Sequence, residues 1–513
     1  MEVCRLGVKM RFVGVLALFG SMILGGWLAS PVDALANSCS TGTVTTTSGR
    51  VCGKTKNWRG HKIESFLGIP YAETTAAENR WRAPIPKTPG GTVLRATQFG
   101  PACPQKIGED SPYVQSEDCL SLNIWSPKGN KRKKPVMVFI HGGAFVEGTS
   151  QAPVYDGQRL AASGDVVVVT LNYRLGALGF LYGTGGLTGN YGFLDQQLAM
   201  RWVKDNIARF GGDAGNITLF GESAGAMSVG LHFVAPQSKA LFNAAIIESN
   251  PWLPYRYIDA TNPAGAKLRA NLGCQNGGVS CMRSKPLSEI INHQFSAGLL
   301  FRGALTGIFG LMPWTPVIDG EVIVQQPIKR RFNKPVIIGT NHDEGLTFAA
   351  LLEEHGREIK KWEYTAAMKS LFGANIAARI KQIPDYQPID GDNRDQFARL
   401  STDYVFACPS RYMLRRAKSR AYGYQFSQKT NYDEWPGIKR CALPGKLAKA
   451  CHGFELPYVF GNAYTMSPRK QHRVKKLNAH EINLSRRMRS YWSSFAARKN
   501  PNSKNTPHWQ AFA

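Results

Sequence analysis

The 513-residue sequence predicts an α/β architecture: a mostly parallel central sheet with helices on both faces. Three observations predict it. Short apolar runs, most of them β-branched or aromatic, recur at 136–140, 166–171, 217–220, 244–247, 336–338 and 422–426, bounded by Gly, Pro or Asn. Helical spacing fills intervals between them. One run passes through a tight Gly-rich turn straight into a helical pattern. Hydrophobic residues make up 43% and charged residues 19%, as in a globular chain with a sizeable core and unlike a fibrous or low-complexity one.

The elements follow in chain order. Arg5, Lys9 and Arg11 precede an apolar run over 13–29, and Ala34-Leu35-Ala36 offers small residues for cleavage. The run is short for a spanning helix, which needs about 20 apolar residues. A cleaved export signal over 1–36 is therefore expected, with an uncleaved anchor as the alternative, and one domain over 37–513. Residues 195–210 place Leu198, Trp202 and Ile207 at near-helical spacing, and 227–234 forms a second helical stretch. Residues 284–311 and 346–400 look helical and irregular, like insertions over one end of the sheet. There is no internal repeat and no linker rich enough to split the chain.

An exported chain can form disulfides. Of ten cysteines, Cys4 leaves with the signal, and an odd number remains, so at least one stays unpaired or bridges chains. Sequence does not fix the connectivity. Pairing near neighbours joins Cys39 to Cys52, Cys103 to Cys119, Cys274 to Cys281 and Cys441 to Cys451, leaving Cys408; buried free thiols are the alternative.

The formal charge is +27. Such a balance favours anionic surfaces such as acidic lipid or polyanions. The densest stretch, 469–504, carries Lys475, Lys476, Arg486, Arg487 and Arg489 with few acids. No nucleic-acid motif accompanies it, so no specific nucleic-acid partner is expected, and a solvated basic helix face is the plain alternative.

The chemistry concentrates at Gly221-Glu222-Ser223-Ala224-Gly225, which follows the run at 217–220 and opens a helical pattern. This is G-x-S-x-G in a strand–turn–helix context, a nucleophile elbow. The turn is so tight that positions two before and two after Ser223 must be small, and it lifts the hydroxyl above the sheet. The run at 136–140 ends in His141-Gly142-Gly143-Ala144-Phe145. Acyl transfer builds negative charge on a carbonyl oxygen, and each pre-aimed backbone N–H stabilises it by roughly 3 kcal/mol. The expected donors are Gly143, Ala144 and Ala224. An ordinary Gly-rich turn is the alternative for either segment.

Longer blocks carry a resemblance. FLGIPYA (66–72), SEDCLSLNIW (116–125), NYRLGALGF (172–180), GNYGFLD (189–195), FGGDAGNITLFGESAGA (210–226) and CHGFELPYVFG (451–461) resemble the type-B carboxylesterase/lipase family, which includes cholinesterases. The resemblance spans almost the whole mature chain. It implies the α/β-hydrolase fold and an ester hydrolase acting through a Ser-His-Glu triad and an acyl-enzyme. The family's acid motif is matched by GTNHDEG (339–345), which points to Glu344 with Asp343 as neighbouring substitute, and its histidine motif points to His452. The order Ser223, Glu344, His452 is the one the fold imposes. His141 in the oxyanion loop and His232 in the helix after the elbow do not suit the base.

Some positions depart from the family. The Cys103–Cys119 loop has no Trp, so choline-ester specificity is not expected; Glu73-Thr74-Thr75-Ala76-Ala77 replaces a Pro-Pro-x-Gly turn; and Ala144 replaces a third glycine. Relatives with a small-residue oxyanion loop are associated with bulky, even tertiary, alcohol groups, so hindered esters are expected substrates. No clustered metal-ligand or cofactor motif occurs, so neither is expected. The implied partner is a small-molecule or lipid ester. Two other classes compete: a non-catalytic binding or adhesion protein on the same fold, and a polyanion-binding protein using the basic surface.

Overall fold

A strand buried on both faces favours an apolar residue at every position, and the runs at 136–140 and 244–247 are of that kind; the run at 167–171 departs only at Thr170, whose hydroxyl donates to Ser150 O. The computed structural model describes residues 38–512 except 107–111, 130–131, 184, 295–311, 354–357, 433–440, 442–448 and 465–474. The export signal expected over 1–36 and residues 469–474 of the basic stretch 469–504 lie outside the described residues.

The strands are β1 (Val44–Thr46), β2 (Gly49–Cys52), β3 (Lys54–Trp58), β4 (His61–Pro70), β5 (Val93–Arg95), β6 (Ser121–Pro127), β7 (Lys134–Ile140), β8 (Val167–Leu171), β9 (Gly212–Glu222), β10 (Ala244–Glu248), β11 (Val336–Asn341) and β12 (Ala421–Phe426). Nine form one sheet in the order β12-β11-β10-β9-β7-β8-β6-β4-β3. From β12 to β8 every neighbour is parallel; β6, β4 and β3 complete the sheet antiparallel. The six parallel strands are the six runs marked in the sequence. The fold is that of the α/β-hydrolases.

Alternate residues of these strands feed two cores. Val136, Val138 and Ile140 join Val169, Leu219 and Ile247 on one face, and Met137 and Phe139 join Val168, Phe220 and Ile246 on the other. Helices α1 (Gln158–Gly164), α2 (Tyr191–Asn206), α3 (Ala224–His232), α4 (Glu344–Glu353), α5 (Lys361–Phe372), α6 (Ala374–Ile380), α7 (Arg394–Ser401), α8 (Cys408–Arg416), α9 (Leu456–Phe460) and α10 (Ala479–Arg498) follow in chain order. Helices α2 and α3 cover the first face; α1, α9 and α10 cover the second. The helix expected over 195–210 starts earlier, at Tyr191, and its last turn, Ile207–Phe210, tightens to 3-10 geometry. The helix expected over 227–234 begins at Ala224, because the elbow turns directly into it. Helices α4 to α7 occupy the predicted insertion from 346 to 400, where Tyr364, Met368, Ala377 and Leu400 form a small separate core.

Register aligns the functional ends. Ile140 pairs with Gly221, Glu222 with Glu248, and Glu248 with Gly339. The loops after β7, β9 and β11 therefore leave the same carboxyl edge of the sheet, where open α/β sheets hold their ligands. Four disulfides join Cys39–Cys52, Cys103–Cys119, Cys274–Cys281 and Cys441–Cys451, with Cα separations of 5.0 to 5.9 Å. Cys408 is an exposed free thiol. Among the described residues, no helix is long and apolar enough to cross a membrane.

Candidate active site

Ser223 sits between β9 and α3 with φ +56° and ψ −123°, a conformation that L-residues adopt only when the surroundings hold it. Its N–H donates to Glu248 O at 3.0 Å, tying the turn to β10. The flanking glycines are sterically required. A Cβ on Gly225 would lie 2.0 Å from Ile140 O, and one on Gly221 would meet the Gly225 carbonyl at 2.7 Å. Ser223 keeps partial exposure, while Glu222 and Ala224 beside it are buried.

The loop after β7 lies against this turn: a Cβ on Gly142 would come within 3.0 Å of Ser223 Cβ. Gly143, Ala144 and Phe145 have φ of 102°, 52° and 63°. The loop is fixed from both ends. Gly143 O accepts from Val146 and Glu147 N–H, and Phe145 O accepts from Gly176 N–H. Among the described residues, the N–H groups of Gly143 and Ala144 are not engaged in this hydrogen bonding, and Ala224 N–H is one of the orphan donors at a helix start. His141 is structural here. It stacks on Tyr173 at 4.5 Å, donates from Nδ1 to Gly142 O, and burial pulls it down to about 4, so it is neutral at physiological pH. His232 is buried in α3, stacked on Phe193, with its Nδ1 on Ser238 Oγ.

Glu344 follows β11. One carboxylate oxygen accepts Asn341 N–H at 2.7 Å and the other meets His452 Nδ1 at 2.5 Å. Asp343 turns elsewhere: it accepts Ala450 N–H at 3.0 Å and lies 3.1 Å from His342. His452 stands in the loop before α9, directly after the Cys441–Cys451 bridge, and Asn341 Nδ2 donates to Cys451 O at 2.7 Å. Phe348 and Phe406 flank its ring at 5.4 and 5.3 Å. Phe406 is delivered by a π-helical turn, Thr402–Ala407, of the kind found at functional sites.

The structure adds a residue that sequence reasoning missed. Glu222, the variable position of G-x-S-x-G, places Oε1 3.2 Å from His452 Nε2. Glu222, Glu248, Glu344 and Glu455 are all buried. Glu248 accepts Trp492 Nε1–H at 2.7 Å, and Glu455 accepts from Ser249 and from Asn341 Nδ2. Burial, reinforced by neighbouring carboxylates, pushes Glu222 up to about 8, while His452 pulls it down. His452 is opposed by burial but raised by Glu222 and Glu344 to about 9. These two tendencies compete for one proton. Burial of the Glu222 carboxylate draws the proton toward Glu222, and the carboxylates facing His452 draw it toward the imidazole, so the pair shares it. A hint lay in the sequence: an acid inserted among apolar residues at a strand's buried end.

Among the described residues, no trio of His, Cys, Asp or Glu side chains is placed to hold a metal. A cavity of about 360 Å³ lined by Trp81, Arg82, Leu187, Tyr191 and Arg283 includes none of the residues around Ser223.

This sheet and its strained strand–turn–helix are those of the α/β-hydrolase fold, and the chain's relatives make it a carboxylic ester hydrolase. The chain belongs to the carboxylesterase family, whose profile matches residues 40–513. It is 36% identical over 459 residues to the cAMP-regulated D2 protein of Dictyostelium discoideum, covering 86% of this chain and 81% of that one. It is 33% identical over 517 residues to a cholinesterase of Mus musculus, covering 91% and 81%. Among solved structures it is similar to a PNB esterase (TM-score 0.75, 32% identity, 92% of this chain and 93% of the other) and to a thermophilic PNB esterase (TM-score 0.77, 30% identity, same coverage).

Proposed function

We propose that this chain is an exported serine carboxylesterase whose residues 37–513 form the catalytic domain after loss of a leader over 1–36. Ser223 is the nucleophile, His452 the base, and Glu344 the acid that holds the imidazole. The hydrogen bond between Glu344 and His452 Nδ1 carries the reading, because it leaves Nε2 on the other side of the ring, where it lies 3.2 Å from Glu222, the residue next to Ser223 in the elbow. Ser223 Oγ gives its proton to Nε2 as it attacks the ester carbonyl. Negative charge then develops on the carbonyl oxygen, and the N–H groups of Gly143, Ala144 and Ala224 stabilise it. The imidazolium returns the proton to the departing alcohol, leaving an acyl-serine. Water, deprotonated by the same imidazole, releases the acid and regenerates Ser223.

Four disulfides and the basic, apolar and small-residue order of residues 5–36 support export. The substrate is a small-molecule or lipid ester. A panel of p-nitrophenyl esters of rising chain length tests the reading, with Ser223→Ala beside it. Turnover of short esters that falls by several orders of magnitude in the variant supports it. Equal turnover in both proteins overturns it.

A further inference from the structure

Three arginines are buried among the described residues: Arg80, Arg174 and Arg489. Two are treated as burial of a guanidinium requires. Arg80 grips Glu117 through two bonds of 2.7 Å, and Arg174 grips Asp195 through bonds of 2.8 and 2.7 Å. Arg489, only 7% exposed, has no carboxylate partner among the described residues; its Nε donates to Ser485 O at 3.3 Å.

Its neighbours are cations instead. Arg486 lies three residues earlier on α10, hence on the same face. Arg159, on α1 packed against α10, donates to Gly461 O. Gly461 makes room for both: a Cβ there would lie 2.5 Å from Arg489 Nη1 and 3.4 Å from Arg159 Cβ. Arg59, at the turn of the β3–β4 hairpin, holds its guanidinium 5.1 Å from the Trp58 ring. Burial first, then repulsion from Arg159, Arg59 and Arg486, pulls Arg489 down to about 10, which still leaves a full cation at neutral pH. Asp156 is the carboxylate that feels Arg159 and Lys56, but it accepts Gln158 N–H at 2.8 Å and burial raises its pKa.

A buried cation ringed by cations is costly unless an anion completes the site. We propose that Arg489, Arg159, Arg59 and Arg486 form a binding site for a phosphate group, seated beside Gly461 between α1 and α10. The phosphate oxygens accept from guanidinium N–H groups, and the planar forks suit a tetrahedral oxyanion. The site is independent of the ester chemistry and uses none of its residues.

Equilibrium dialysis of the purified chain against inorganic phosphate, at fixed ionic strength in chloride, is expected to give one saturable site. Arg159→Gln and Arg59→Gln should each weaken it by about tenfold or more, as expected for loss of a charged hydrogen bond. Arg379→Gln removes the same charge from α6 and should leave binding unchanged. Thermal melts keep the central residue testable. Phosphate should raise the midpoint of wild type and Arg379→Gln, but not that of a folded Arg489→Met. Co-sedimentation with phosphatidic acid vesicles separates the sources. Sedimentation lost in Arg159→Gln and kept in Arg379→Gln assigns a lipid headgroup; equal behaviour of all three assigns soluble phosphate. Phosphate held no better than chloride, or equally by Arg159→Gln and Arg379→Gln, overturns the proposal.

Discussion

Replacing Glu222 by glutamine removes a charge beside the His452 imidazole, the proposed base, without changing its size. The carboxylate lies 3.2 Å from His452 Nε2. At an effective dielectric of about 20, an ionised carboxylate and an imidazolium at that distance attract by about 5 kcal/mol. That is an upper limit of roughly three to four pKa units, because Glu222 is ionised only on the alkaline side of its raised value near 8. The wild type therefore divides one proton between the two groups, and any share on His452 is an inactive base. Glu222→Gln abolishes that share, so the acid limb of kcat/KM should move to lower pH while the plateau persists.

Stability should respond too. The unfolded chain releases the Glu222 proton near pH 4.5, while the folded chain keeps it to about 8. From pH 4.5 to 6.5 the unfolded chain still holds one proton on His452 and the folded pair holds its one shared proton, so stability is level; above 6.5 the unfolded chain binds fewer protons, and stability falls as pH rises, at about 1.4 kcal/mol per pH unit for a full proton. His452, raised to about 9 from 6.5, acts in the same direction above 6.5, and the shared proton prevents the two slopes from adding. The variant's stability should thus be flatter than wild type between pH 6.5 and 8. Rates on a p-nitrophenyl ester and urea unfolding across this range measure both effects. An acid limb and a stability slope that both match wild type would refute the reasoning.

Four further outcomes are expected. Glu344→Gln should lower kcat by about three to four orders of magnitude with little change in KM, since the imidazole loses its orienting charge; steady-state kinetics checks this. Ala144→Gly should keep turnover of tert-butyl and linalyl acetate and relieve roughly 1 kcal/mol of left-handed backbone cost, whereas Gly143→Val should abolish all turnover, because its Cβ would lie 2.1 Å from Glu147 O; gas chromatography of the released alcohols distinguishes them. Cys451→Ser should cost about 2–4 kcal/mol in urea unfolding and lower kcat more than it alters KM, since the bridge ends one residue before His452. Dialysis against EDTA should leave ester turnover unchanged.

The parallel half of the sheet was legible because burial on both faces writes itself as uninterrupted apolar runs. The antiparallel edge was not. Strand β3 is Lys-Thr-Lys-Asn-Trp, a polar hairpin arm, and β6 interrupts its apolar residues with buried Ser121, Asn123 and Ser126, of which Asn123 and Ser126 hydrogen-bond neighbouring backbone. At the site, Ser223 and the 141–145 loop followed from local turn chemistry. Glu344 and His452 did not: 108 residues separate them, and only family resemblance linked them. Glu222 was visible yet unread, because nothing in its neighbours along the chain reveals an imidazole arriving from residue 452.

The central claim, that Ser223 is the activated nucleophile, is tested most directly by covalent capture. The chain is treated with a fluorophosphonate ester, digested, and its peptides mapped by mass spectrometry. The account predicts one stoichiometric adduct on Ser223, formed at a rate that follows deprotonation of His452 and lost in both Ser223→Ala and His452→Ala. An unlabelled Ser223 in protein that still hydrolyses esters, or an adduct on another residue that abolishes turnover, would contradict it.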